Sequence, residues 1–193
     1  MDGVNTLTIG YYFLVLLFIS KIFLDLNNSI LTIEFIYISL FSLILLFILN
    51  CFNALYLGDN GAYLISFFVG IFLIHIANNN ILISPFYIVN LLWYPAYENF
   101  FSIIRKIKNK KSALNPDNFH LHQLIFKTLN KKIENSKITN SLTGIIINSF
   151  NCLIFFLATQ HYSNTKYQLS LIFLPLLIYN VLYIILKTNL KKI

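Results

Sequence analysis

The chain has 193 residues, of which 58% are hydrophobic and only 11% charged, with a formal net charge of +7. Ordinary globular proteins carry about 45–50% apolar and about 25% charged residues, so this chain cannot cover a water-facing surface. A soluble globular domain is excluded, disorder is excluded because disordered chains are poor in apolar residues, and an integral membrane protein remains. The basic surplus invites a nucleic-acid reading, but in a chain this apolar Lys and Arg serve as topology signals, and no nucleic-acid partner is expected. Cys51 and Cys152 make neither a disulfide framework nor a metal spacing; they read as small apolar fillers.

Met1-Asp2-Gly3 opens the chain with no basic residue before the first apolar run and no small-residue cleavage site. The first run is therefore expected to stay in the membrane. Six segments read as transmembrane helices: Leu7–Leu24, Ile30–Leu49, Ala62–Ala77, Ile81–Phe101, Leu142–Ala158 and Leu169–Leu186. A bilayer needs about 20 apolar residues per span. The third is short and the fourth carries Pro85 and Pro95, so both are expected to be tilted, broken or partly buried in protein. The expected fold is all-α: one polytopic membrane helix bundle over residues 1–193, with a basic cytoplasmic loop at 102–141.

Orientation follows from the basic residues. Of the 14 Lys and Arg, the 102–141 loop holds Arg105, Lys106, Lys108, Lys110, Lys111, Lys127, Lys131, Lys132 and Lys137. Placing that loop in the cytoplasm also puts Lys187, Lys191 and Lys192 inside, leaving Lys21 and Lys166 outside. Both termini and the Cys51–Gly61 loop are then cytoplasmic, in the cell's inner (plasma) membrane. Glu34 sits four residues inside its span, close enough to reach the headgroups. His75 and His161 fall on the outer side and read as incidental.

Three polar clusters converge on the cytoplasmic face: Asp2-Gly3 with Asn5; Leu57-Gly58-Asp59-Asn60-Gly61-Ala62-Tyr63; and the loop containing Asn115-Pro116-Asp117-Asn118-Phe119-His120-Leu121-His122-Gln123. Gly-Asp-Asn-Gly is good turn chemistry for a two-span hairpin. It also suits an anionic ligand, with the Asp59 carboxylate on a hard cation: magnesium is usually held by one or two carboxylates together with substrate phosphates. His120 and His122 share a face only if the segment is extended. With no Cys or third His nearby, zinc is disfavoured, and a phosphate contact fits better than a metal. Leu121, Leu124, Ile125 and Leu129 then recur at helical spacing with Lys127, Lys131 and Lys132 between them. They describe a short amphipathic helix at headgroup level, capped by Asp117 or Asn118. Trp93, Tyr94 and Tyr97 read as an interfacial aromatic belt. Glu98 is either an end-of-helix carboxylate within reach of Arg105 or a member of the site.

These residues carry a resemblance. The run from Pro95-Ala96-Tyr97-Glu98 to Arg105-Lys106, followed by Pro116-Asp117 and His120-Leu121-His122-Gln123-Leu124, resembles the polyprenyl-phosphate sugar-1-phosphate transferases, the glycosyltransferase-4 type. That family includes the phospho-MurNAc-pentapeptide and GlcNAc-1-phosphate transferases. Leu57-Gly58-Asp59-Asn60-Gly61 looks like the family's Gly-Asp-x-Gly loop, and Asp2-Gly3-Val4-Asn5 like its Asp-Gly-x-Asn/Asp motif. The resemblance implies transfer of a sugar-1-phosphate, HexNAc-1-phosphate, from a UDP-sugar to undecaprenyl phosphate in cell-wall or envelope-polysaccharide biogenesis, with Mg2+ offsetting pyrophosphate charge. It assigns Asp59 as metal ligand and, with Asp2, as catalytic. Asn5, Arg105, Asp117, His120, His122 and Gln123 become substrate-binding residues.

The resemblance covers only the family's C-terminal half. The family's Asp-Asp motif on an earlier loop has no counterpart, Thr6 stands where Gly is usual, and Gln123 replaces a third His. A truncated member is expected, its activity alone in question, completed by a missing N-terminal half or existing as a homodimer. Helices lacking their usual neighbours would show polar or small faces to lipid. A non-catalytic subunit or pseudoenzyme of the same fold is the alternative, and a transporter built on the fourth span a more distant one.

Overall fold

The computed structural model describes residues 4–25, 30–110 and 119–191. Among them are seven α-helices: α1 (Leu7–Asp25), α2 (Ile30–Cys51), α3 (Gly58–Asn79), α4 (Pro85–Lys108), α5 (Leu121–Ile133), α6 (Ser136–Gln160) and α7 (Thr165–Lys191). The fold is an all-helical polytopic bundle, and α2, α3, α6 and α7 are long and apolar enough to cross a membrane. The other two expected spans differ: α1 is largely buried and α4 is buried along one face. The apolar stretch of α1, Leu7–Phe23, is shorter, and α4 carries buried Asn90, Glu98, Ser102 and Arg105.

Helices α1 and α6 form the spine. Leu7, Ile9, Tyr11, Val15, Leu16, Ile19, Ile22 and Phe23 of α1 are all buried. Helix α6 meets it with Gly144 and Asn148, small or polar groups that let backbones approach. A Cβ on Gly144 would stand 2.3 Å from both the Asn5 carbonyl and Thr6 Oγ1. Around this spine, α2 and α3 pack on α1, α4 packs with α7, and α5 lies against α6 and α7.

The outward faces of α2, α3 and α7 carry large apolar side chains, including Ile38, Phe41, Phe67, Ile74, Phe173 and Leu177. Such faces suit lipid tails; the polar or small exposed faces expected from missing neighbours are not what these helices show.

Two expectations are corrected and a third is narrowed. Gly-Asp-Asn-Gly is not the hairpin turn: it is the first turn of α3, which begins at Gly58 and runs 22 residues. The turn is made upstream, with Asn53 at φ 58°, and Gly58 itself enters α3 at φ 64°, a conformation glycine adopts without steric penalty. Of the alternatives for the fourth span, partial burial in protein holds and a break does not. Pro85 occupies the first turn of α4, where its missing N–H costs nothing, and the helix continues through Pro95. Proline at 95 leaves the carbonyl of Leu91 without its backbone donor, and the Tyr11 hydroxyl donates to that oxygen at 2.7 Å. Lastly, Trp93 and Tyr94 are not an interfacial belt but are buried. Trp93 sits edge-on to Phe150, and Tyr94 is 6.5 Å from Tyr179, which Tyr97 meets edge-on at 5.0 Å.

Candidate active site

The start of α1, the α2–α3 turn and the start of α6 meet at one end of the bundle. Asn5 Nδ2 donates to Asn53 Oδ1 at 2.7 Å, and Asn5 N to Asn140 Oδ1 at 3.3 Å. Thr6 N donates to Asn50 Oδ1, Thr6 Oγ1 to the Ser141 carbonyl at 2.9 Å, and Asn148 Nδ2 to the Thr6 carbonyl at 2.9 Å. Thr6 itself holds φ 67°, an unusual conformation for a β-branched residue. This asparagine-rich knot fixes the origin of α1 and with it the position of Thr8 and Tyr12.

Beside the knot lies a cavity of about 430 Å3. Thr8 and Tyr12 come from α1; Asp59, Ala62, Tyr63 and Ser66 from α3; Pro95, Glu98 and Asn99 from α4; His120, His122 and Gln123 from α5 and its N-cap. Asp59, His120, His122 and Gln123, far apart in sequence, therefore face one space. Asp59 is exposed in the first turn of α3, where a negative charge also complements the helix dipole.

Glu98 organises the opposite wall. It is 3% exposed, yet its Oε1 accepts from His120 Nδ1 at 2.9 Å and from the Leu121 backbone N–H at 3.0 Å. Leu121 is the first residue of α5, so Glu98 satisfies one of the orphan donors at that helix start and places a negative charge at its positive end. The N-cap of α5 is His120, not Asp117 or Asn118, with extended backbone at φ −70°, ψ 151°. Gln123 Oε1 accepts from His120 N at 3.2 Å. The imidazoles of His120 and His122 lie near-parallel, 5.3 Å apart at 14°. One extended residue followed by a helix start thus brings both rings to one face. With Nδ1–H given to Glu98, the Nε2 of His120, whose side chain is 21% exposed, is the ring atom left for a ligand.

The amphipathic helix forms where expected, but its Leu121 and Leu124 are buried against the bundle, and α5 packs on α6 and α7. Gln123 is shared with a neighbouring cavity of about 380 Å3 that includes Tyr56, Lys137 and Asn140. Asn5 lines neither cavity; it belongs to the knot. Arg105 also lies outside the lining, buried between α4 and α7. Its Nη1 donates to Tyr183 Oη and its Nη2 to Ser102 Oγ, each at 3.3 Å, and its guanidinium stands over the Phe101 and Tyr183 rings. Asp2 and Asp117 lie outside the described residues.

The donor set bears on magnesium. Among the described residues no group of three His, Cys, Asp or Glu side chains is placed to cage a metal. Glu98 Oε1 is taken by His120 and Leu121 while its Oε2 is buried with no hydrogen-bond partner, and Asp59 is the exposed carboxylate among the described lining residues. One carboxylate and an anionic ligand is the way proteins commonly hold Mg2+, so Asp59 fits that role with substrate phosphates completing the shell.

Sequence reasoning left Glu98 open and gave no role to Thr8, Tyr12, Tyr63, Ser66 and Asn99, of which Tyr63 and Asn99 stood only inside longer motif stretches. The available signal was the lone carboxylate closing an apolar helix. The other five carry no signal, since such residue types are ordinary in any span. No protein-family model, no curated protein and no solved structure matches the chain.

Proposed function

We propose that the chain is a membrane transferase that moves a sugar-1-phosphate, of the HexNAc-1-phosphate class, from a UDP-sugar to undecaprenyl phosphate. Both termini would face the cytoplasm of the plasma membrane, and the product would serve cell-wall or envelope-polysaccharide synthesis. The observation that carries the reading is the shared cavity: Asp59, Glu98, His120, His122 and Gln123 border one space at one end of a membrane bundle. One exposed carboxylate and two imidazoles around one space suit a metal-bound diphosphate.

In this reading an oxygen of the lipid phosphate attacks the β-phosphorus of the UDP-sugar. The bond from that phosphorus to the bridging oxygen breaks, UMP leaves with the bridging oxygen, and the lipid-pyrophosphate-sugar remains. The nucleophile is already ionised, so no side chain needs to take its proton; the protein's task is positioning and charge compensation. Asp59 would hold Mg2+, which when bound supplies charge neutralisation to the diphosphate. His120, oriented by Glu98, would donate Nε2–H to a phosphate oxygen when both its ring nitrogens carry protons, and His122 stacks beside it to fix the ring plane. Gln123 stands where the cavity meets its neighbour, whose exposed Tyr56 ring and Lys137 suit a base and a further phosphate.

The alternative is a non-catalytic subunit or pseudoenzyme of the same fold, favoured by the cavity's single exposed carboxylate among the described lining residues. Incubating membranes holding the chain with UDP-HexNAc donors, polyprenyl phosphate and Mg2+, then measuring UMP, separates the two. UMP release dependent on both lipid and metal supports the transferase, and saturable nucleotide binding with no UMP supports the alternative.

A further inference from the structure

Beside Glu98, Tyr94 and Tyr97 of α4 pack with Tyr179 of α7, and Tyr183 stacks on Tyr179. The four hydroxyls divide into two kinds. Tyr97 Oη accepts from Asn180 Nδ2 at 2.7 Å, and Tyr183 Oη from Arg105 Nη1 at 3.3 Å. The hydroxyls of Tyr94 and Tyr179 are buried, with no hydrogen-bond partner aligned on them among the described residues. Glu98 Oε2, the oxygen that His120 and Leu121 leave over, is buried in the same condition.

These three atoms belong to one place. Tyr94 lies one helical turn before Glu98 and so shares its face of α4. Tyr179 lies across that face. Its ring is 6.5 Å from Tyr94, and 5.0 and 5.4 Å from Tyr97 and Phe101, which flank Glu98 along the helix. Both free hydroxyls interact with the Glu98 carboxyl. Buried polar atoms nearly always find hydrogen-bond partners, and here the types are complementary, since an ionised carboxylate only accepts and each phenol can donate. The terminal torsion of a Glu side chain is soft, so a small turn of the carboxyl completes both bonds.

We propose that Tyr94 and Tyr179 are positioning residues that donate to Glu98 Oε2 and fix the plane of its carboxyl. With Oε2 pinned from α4 and α7, Oε1 stays aimed at α5, and the His120 proton stays on Nδ1 with Nε2 turned to the cavity. Helix α7 contributes no described lining residue to that cavity, yet it bears on the ring that lines it. The link to the His120 ring stands without any transferase activity; that Nε2 then meets a phosphate rests on the function proposed above.

The test is nitrogen NMR of the full chain in detergent with isotope-labelled histidine, at pH about 8, where free histidine is neutral. His120 is identified by the signals that His120→Gln removes. The wild type is expected to show a protonated Nδ1. Tyr94→Phe/Tyr179→Phe frees the carboxyl and is expected to mix the two ring tautomers. Tyr87→Phe deletes a buried hydroxyl that meets Thr159 instead, and is expected to leave the His120 signals in place. Thermal unfolding gives a second readout through its sign. Deleting a hydroxyl that serves nothing removes a cost and raises the midpoint, whereas deleting one that serves Glu98 lowers it, by about 2–4 °C for each single Phe variant. Binding of Mg2+ and a UDP-HexNAc is expected to weaken roughly tenfold in the double variant. Changed His120 signals with that binding unmoved would keep the positioning role and remove the phosphate contact. Unchanged His120 signals in the double variant, the same change in Tyr87→Phe, or a midpoint that fails to fall in either single variant would overturn the proposal.

Discussion

Glu98 Oε1 accepts two hydrogen bonds, from His120 Nδ1 at 2.9 Å and from Leu121 N at 3.0 Å. One buried oxygen thus joins α4 to α5 and sets which imidazole nitrogen of His120 remains for the cavity. Removing the carboxyl leaves the Leu121 N–H and the His120 ring without their acceptor, a loss of about 2–3 kcal/mol for bonds to a charged group. Glu98→Ala should lower the thermal midpoint in detergent and abolish nucleotide binding together. Glu98→Gln keeps an acceptor oxygen and should retain most of the stability. If Glu98→Ala unfolds at the wild-type temperature, the bridge is not holding α5.

Asp59 should behave in the opposite way. It is exposed at the start of α3, so Asp59→Asn should cost no more than about 0.5–1 kcal/mol, the worth of a charge at a helix N-terminus. Magnesium-dependent UMP release should nevertheless fall to background. Retained turnover with this variant removes Asp59 from metal binding.

The Tyr11 hydroxyl compensates for Pro95 by donating to the Leu91 carbonyl. Tyr11→Phe leaves that buried acceptor unpaired and should destabilise the protein by about 1–3 kcal/mol. Combining it with Pro95→Ala restores a backbone N–H four residues beyond Leu91, so most of the loss should be recovered. Additive losses in a double-mutant cycle of thermal unfolding would show that the two residues do not share the carbonyl.

Glycine has opposite meanings at two positions. At Gly144 a Cβ would meet the Asn5 carbonyl at 2.3 Å and Leu7 N at 2.7 Å, whereas at Gly70 nothing lies within 4 Å. Gly144→Ala should therefore destabilise by about 1–3 kcal/mol through overpacking. Gly70→Ala, inside α3, should stabilise by about 0.5–1 kcal/mol. The pair can be compared by unfolding midpoints in one detergent.

The helices were legible because long apolar runs have few alternatives, and the amphipathic spacing of Leu121, Leu124 and Ile125 located α5. What faced lipid and what faced protein was not legible. Tyr94 and Trp93 look the same in sequence whether they anchor at an interface or stack against Tyr179 and Phe150, because both environments accept an aromatic ring. The Gly58–Gly61 stretch was misplaced for a related reason. Its residues satisfy a turn, but Asn53 makes the turn and frees Asp59 to start α3. Within the site, the meeting of Asp59 with the two histidines at one cavity was expected from the charge pattern, which assigns all three to one side of a bilayer. The Glu98–His120 pair was not, since a separation of 22 residues gives no sequence sign of the contact.

The most direct measurement is the affinity of the full chain for Mg2+ and a UDP-HexNAc in four proteins: wild type, Asp59→Asn, His120→Ala and the double variant. If both residues touch one bound nucleotide, each single variant should weaken binding about tenfold or more, and the double variant should lose less than the two losses combined. Wild-type binding left unchanged by both substitutions, or absent altogether, would contradict the claim that this cavity holds a metal-bound diphosphate.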